Sequence, residues 1–165
     1  MRALAVITAG FALLVSRELP AQHASEVGQR HLLSLFVGAA ASSERHETAV
    51  TIGPTYRFLL TNRLAVGPIL EMTCYRSETS TLAFGGVFLS PYRGIELTLA
   101  PGIEWITATA DASDSVVERG ELAFRLGIGY QLQMPRGYSV SPAAAVNLGS
   151  GVATGMYGLT FGMRF

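Results

Sequence analysis

The chain has 165 residues, of which 49% are apolar and only 15% charged, and its 12 basic and 12 acidic residues leave a formal net charge of zero. An ordinary soluble domain carries roughly 25% charged residues, so this chain lacks the side chains to coat a water-facing surface. The balanced charge also excludes a footprint for nucleic acid.

The N-terminus reads MRALAVITAGFALLV, one arginine followed by an apolar run, and then SRELPAQHA, ending in small residues. This is the pattern of a cleavable secretory signal peptide, too short to span a bilayer as a helix. It is expected to occupy 1–24, with cleavage between Ala21 and Ala24, leaving 25–165 as one domain. No cysteine lies near the cleavage region to carry a lipid anchor. The only one, Cys74, can form no internal disulfide, so export brings no disulfide framework.

From residue 30 onward the sequence alternates with a period of two and shows no helical periodicity. Eight runs are predicted as strands: 31–41, 48–59, 64–75, 80–89, 94–107, 118–134, 138–148 and 153–165. The second sets Val50, Ile52, Pro54, Tyr56 and Phe58 against Ala49, Thr51, Gly53, Thr55 and Arg57. The fifth opposes Ile95, Leu97, Leu99, Pro101, Ile103 and Trp105 to Glu96, Thr98, Ala100, Gly102 and Glu104. The sixth, ELAFRLGIGYQLQM, is nearly without error: Leu122, Phe124, Leu126, Ile128, Tyr130, Leu132 and Met134 share one parity. The first and fourth runs, HLLSLFVGAAA and STLAFGGVFL, are mixed on both faces.

The polar parity is mostly Gly, Ala, Thr and Ser with isolated charges, a poor surface for water but a good lining for a narrow barrel. The apolar parity suits hydrocarbon. Backbone polar groups in a bilayer must all be paired, which strands achieve only by closing on themselves. The expected fold is therefore all-β: a closed antiparallel up-and-down transmembrane barrel of eight strands, apolar side chains outward. Tight links at 61–63, 90–93 and 135–137 alternate with more polar ones at 42–47, 76–80 and 111–118, the rhythm of short periplasmic turns and longer outer loops. Tyr56, Phe58, Phe88, Tyr92, Tyr130, Tyr138 and Phe165 are expected as an aromatic girdle near the periplasmic interface, with Tyr75, Trp105 and Tyr157 near the outer one. Pro54, Pro68, Pro101 and Pro142 fall inside strands, where proline removes a ladder donor, and β-bulges are expected there.

Charges on the inward parity form a candidate lumen network. Arg57, Glu96 and Arg164 fall near the periplasmic end, and Glu71, Glu104, Glu121 and Arg125 toward the outer one. A charge in a poorly hydrated lumen must pair or stay wet, so Arg125 is expected to bridge Glu104 or Glu71. Catalysis has little to stand on. Of the three histidines only His46 lies in an outer loop, no His follows it, and no Cys/His cluster has metal-ligand spacing. No enzyme, cofactor or metal is expected.

The whole mature pattern resembles the small eight-stranded outer-membrane β-barrel proteins of Gram-negative bacteria, the group containing the outer membrane protein A transmembrane domain and porin-like relatives. The sharpest element is the ending YGLTFGMRF. The resemblance implies that Tyr157, Leu159, Phe161, Met163 and Phe165 form a signal read by the barrel assembly machinery. It also implies a place in the outer membrane, with membrane lipid as partner. The function expected is structural, a membrane-stabilising barrel with a largely plugged polar lumen. A narrow porin-like channel for small solutes is the alternative.

Overall fold

The computed structural model describes residues 30–42, 47–76, 78–109, 116–149 and 152–165. The signal-peptide region, His46 and most of the outer-loop residues lie outside these. The described chain is almost entirely strand: β1 (His31–Ser42), β2 (Thr48–Leu59), β3 (Leu64–Cys74), β4 (Glu78–Tyr92), β5 (Ile95–Thr109), β6 (Val116–Tyr130), β7 (Leu132–Gln133), β8 (Tyr138–Gly149) and β9 (Val152–Arg164). A 3-10 turn at Pro135–Gly137 separates β7 from β8. No helix among the described residues is long and apolar enough to cross a membrane.

Every strand pairs antiparallel with its neighbours in the order β6-β5-β4-β3-β2-β1-β9-β8-β7, and β6 also pairs with β8. That last pairing closes the sheet. The short β7 continues β6 along β8, in the same register, so β6 and β7 are one stave and the barrel has eight. The seam between the two chain ends is long and regular, running from Leu32↔Arg164 to Ser42↔Thr154. Backbone bonds between His31 and Phe165 extend it to the last residue.

The alternation of β6 now has a direction. Leu122, Phe124, Leu126 and Ile128 are exposed, with Leu122 at 83%, while Ala123 and Arg125 between them are buried. The other staves repeat this, with Leu33, Leu35, Val50, Ile52, Leu97, Leu99, Leu159 and Phe161 all exposed. The core inside is small: Ala65, Ile69, Leu82, Phe84, Phe88, Ala100 and Ala123. A soluble barrel would place its large aliphatic side chains inside and its charges outside. The inverse arrangement is a membrane barrel, whose outer face is solvated by hydrocarbon.

Two expectations are corrected. Phe88 does not join the outward girdle, because it is 3% exposed and points into the lumen. The bulges expected at the prolines are absent. Pairing lapses at Pro54 and Pro68 between β2 and β3, at Pro101 between β4 and β5, and at Pro142 opposite the break between β6 and β7. The register is the same on both sides of each lapse. No residue is inserted; a donor is simply missing. The register shift the structure does show lies between Leu89 and Tyr92, next to a tight turn.

Glycines beside the prolines let the strands approach there. A Cβ at Gly67 would run into the Tyr56 carbonyl oxygen on the facing strand, and one at Gly53 into that of Leu70. Gly85, facing outward, has no neighbour within 4 Å of its ideal Cβ. Gly67→Ala should therefore lower unfolding stability by about 2–3 kcal/mol, as overpacking against backbone does. Gly85→Ala should stay within about 0.5 kcal/mol of the parent. Urea titration of the folded barrel in micelles, followed by tryptophan fluorescence, measures both.

Candidate functional site

The site with chemical content is the lumen, where inward positions of all the staves converge. The Arg57 guanidinium, on β2 near the tight-turn end, pairs with Glu96 on β5. It lies 4.2 Å from the centroid of the Phe88 ring. Farther along, Arg125 of β6 reaches across the lumen to Glu71 of β3. Its Nε donates to Asn147 Oδ1 at 2.9 Å, and its Cζ lies 5.0 Å from the Phe84 ring centroid. The Asn147 amide in turn contacts the Met156 sulfur at 3.4 Å.

The apolar cluster thus carries a guanidinium on each of two aromatic rings. Each guanidinium meets both a carboxylate and a ring face, while Arg57 Nε and Glu71 Oε1 are buried without a hydrogen-bond partner. Room for the rings comes from glycine on the inner wall. The Phe36 ring covers Gly38 and Gly158, that of Phe84 lies against Gly102, and that of Phe88 covers Gly86. Large inward side chains and bare backbone alternate, so the narrow lumen is filled rather than open.

On the loop side of Arg125 the lining turns polar. Thr51 and Thr73 share a hydrogen bond of 2.8 Å, and Ser80 donates to Glu104 at 2.5 Å. Ser80, Glu104, Thr73, Tyr75, Asn147 and Thr154 help to line a pit of about 40 Å³. That is room for a few water molecules. Glu121 sits directly opposite Glu104 in the β5–β6 register, facing inward and half-buried. Two facing carboxylates repel, which favours keeping this pair where water reaches.

Of the seven inward charges, four form two ion pairs at different depths. Arg57 pairs with Glu96 and Arg125 with Glu71, while Glu104 takes its hydrogen bond from Ser80. Arg164 stands half-buried at the tight-turn rim and joins neither pair. Sequence reasoning missed Asn147, although it is a lone amide on the inward parity of the run PAAAVNL, which is signal enough. It also missed Phe84 and Phe88 as aromatic supports, because β4 is apolar on both faces.

The residues expected to form the C-terminal signal all face outward. Tyr157, Leu159, Phe161, Met163 and Phe165 are exposed along β9. The Phe165 ring stacks on His31, centroids 5.7 Å apart and planes 19° from parallel. The other side of that imidazole is held by Nδ1 at 2.6 Å from the Tyr56 hydroxyl. Tyr75 lines the pit instead of facing the bilayer.

No protein-family model matches this sequence, and no curated protein matches it. Solved structures do. Ail, the attachment invasion locus protein of Yersinia pestis, superposes with a TM-score of 0.60 at 14% identity, over 83% of this chain and 99% of that one. The N-terminal β-barrel domain of Pseudomonas aeruginosa OprF gives 0.61 at 16% identity, over 83% and 98%. Neisserial surface protein A gives 0.64 at 9% identity, over 82% and 97%. The fold is that of the small eight-stranded outer-membrane barrels.

Removing one partner of a buried pair strands the other charge. Arg125→Ala should destabilise the barrel by about 3–5 kcal/mol, while the double variant Arg125→Ala/Glu71→Ala should recover part of the loss. Denaturant midpoints of the three proteins test the coupling directly.

Proposed function

We propose that this chain is a structural, membrane-stabilising barrel of the bacterial outer membrane, without enzymatic activity and with a closed lumen. The observation that carries the reading is the lumen itself. Two buried ion pairs reach across the bore, β2 to β5 and β6 to β3, and rest on rings of an apolar cluster on the β3–β6 wall. A continuous water path would have to displace both the rings and the pairs. The exposed apolar belt and the unbroken β1–β9 seam support residence in a bilayer. The one described histidine, His31, is engaged with Tyr56 and Phe165 at the rim.

A narrow channel is the second reading, favoured by the polar pit that leads down to the Arg125–Glu71 layer. Planar-bilayer recording separates the two. The wild-type barrel should give no steady current and Arg125→Ala a measurable one. A stable wild-type conductance would favour the channel instead.

The C-terminal residues serve, in this reading, as the signal for the barrel assembly machinery. Their outward, unobstructed positions on the closing strand support it. Deleting Phe165 should lower the amount of heat-modifiable, folded barrel in outer-membrane fractions of expressing cells. Unchanged assembly would remove the signal role while leaving the structural one standing.

A further inference from the structure

Charge is divided unevenly along the barrel axis. Each of the three tight turns carries an exposed arginine: Arg63, Arg93 and Arg136. Arg30 and Arg164 stand at the chain ends on the same rim. Among the described residues the sole acidic side chain at that end, Glu96, is turned into the lumen and paired with Arg57. The other described acidic residues, Glu47, Glu71, Glu78, Glu104, Glu118 and Glu121, lie toward the loop end, where they outnumber Arg76, Arg119 and Arg125. None of Arg63, Arg93 and Arg136 makes an ion pair with another described residue.

Arg136 adds an independent observation. Its backbone is left-handed, φ 64° and ψ 27°, the region that favours glycine or asparagine. Asparagine there would serve the turn with less strain. Backbone strain of this kind collects at functional places.

The neighbours of these arginines indicate what they reach. Tyr92 precedes Arg93 and is 71% exposed, while Met134 and Tyr138 bracket Arg136 and are exposed as well. An amphipathic ring beside a cation fits the depth where hydrocarbon gives way to headgroups. The three arginines stand on three separate turns spaced around the rim. They match an extended anionic surface that encircles the barrel, and guanidinium groups suit phosphate because they can bind it bidentately.

We infer that the tight-turn rim is a docking surface for anionic phospholipid headgroups, whose phosphates Arg63, Arg93 and Arg136 hold in the surrounding leaflet. The inference rests on the membrane residence proposed above. The arginine ring fastens the barrel at a fixed depth and gathers anionic lipid around its base.

The test compares the wild-type barrel with R63Q/R93Q/R136Q and R63K/R93K/R136K in phosphatidylcholine vesicles. Heat-shifted gel mobility first establishes that each is folded. The relative association of spin-labelled phosphatidylglycerol and phosphatidylcholine with the protein boundary is then measured. The wild type should prefer phosphatidylglycerol about fivefold, roughly the gain one arginine brings near an anionic surface. The glutamine variant should fall close to unity, and the lysine variant should keep most of the preference. Raising ionic strength should erode the wild-type preference, a readout that needs no variant. Absence of a wild-type preference, or its full survival in the glutamine variant, would overturn the inference while leaving the membrane reading intact. A barrel that stayed outside the bilayer would overturn both.

Discussion

In hydrocarbon an unpaired backbone N–H or C=O costs several kcal/mol, so a strand crosses a bilayer only within a sheet that has no edge. Closure of this barrel depends on β9 meeting β1 across the full length of both, and on β8 meeting β6. The prolines show how much slack the constraint allows. Each removes one ladder donor, and all four lapses lie between strands joined by a tight turn. A turn of a few residues already holds such partners together, so a missing bond there does not release a strand. The β1–β9 seam has no turn to hold it, and it contains no proline.

Closure then dictates the interior. Eight staves enclose a bore that side chains nearly fill, and the inner face must be lined without large polar groups left unpaired. The solution here is layered. Phenylalanine rings lie over glycine on the inner wall, and arginines lie over two of those rings and face carboxylates across the bore. A pair of this kind adds little net stability compared with apolar packing. Its effect is to fix which inward side chains meet, and hence to hold the plug in one arrangement.

How far the sequence was legible depended on how different the two faces of a strand are. In β6 every outward residue from Leu122 to Ile128 is large and apolar and every inward one is small or charged, so the strand and its facing could be read together. In β4 both faces are apolar, with Leu82, Phe84 and Phe88 inside and Val87 and Leu89 outside, and alternation loses its contrast. By sequence alone Phe88 therefore falls on the bilayer side. The prolines were read correctly as lost donors but wrongly as bulges, because a hairpin held by its turn can forgo the bond without shifting register. The meeting of Arg125 with Glu71, from β6 to β3, follows from strand stagger across the bore, which no single strand's pattern contains. The aromatic supports and Asn147 belong to the same cross-lumen geometry.

The direction in which β6 faces underlies the barrel, the plug and the rim alike. It can be measured by placing spin labels one at a time at positions 122–129 of a Cys74→Ser protein folded into vesicles, and comparing relaxation by oxygen with that by a water-soluble nickel chelate. Oxygen, which concentrates in hydrocarbon, should relax labels at 122, 124, 126 and 128 strongly and those between them weakly. The opposite alternation, or none, would contradict a barrel that turns its apolar face to lipid.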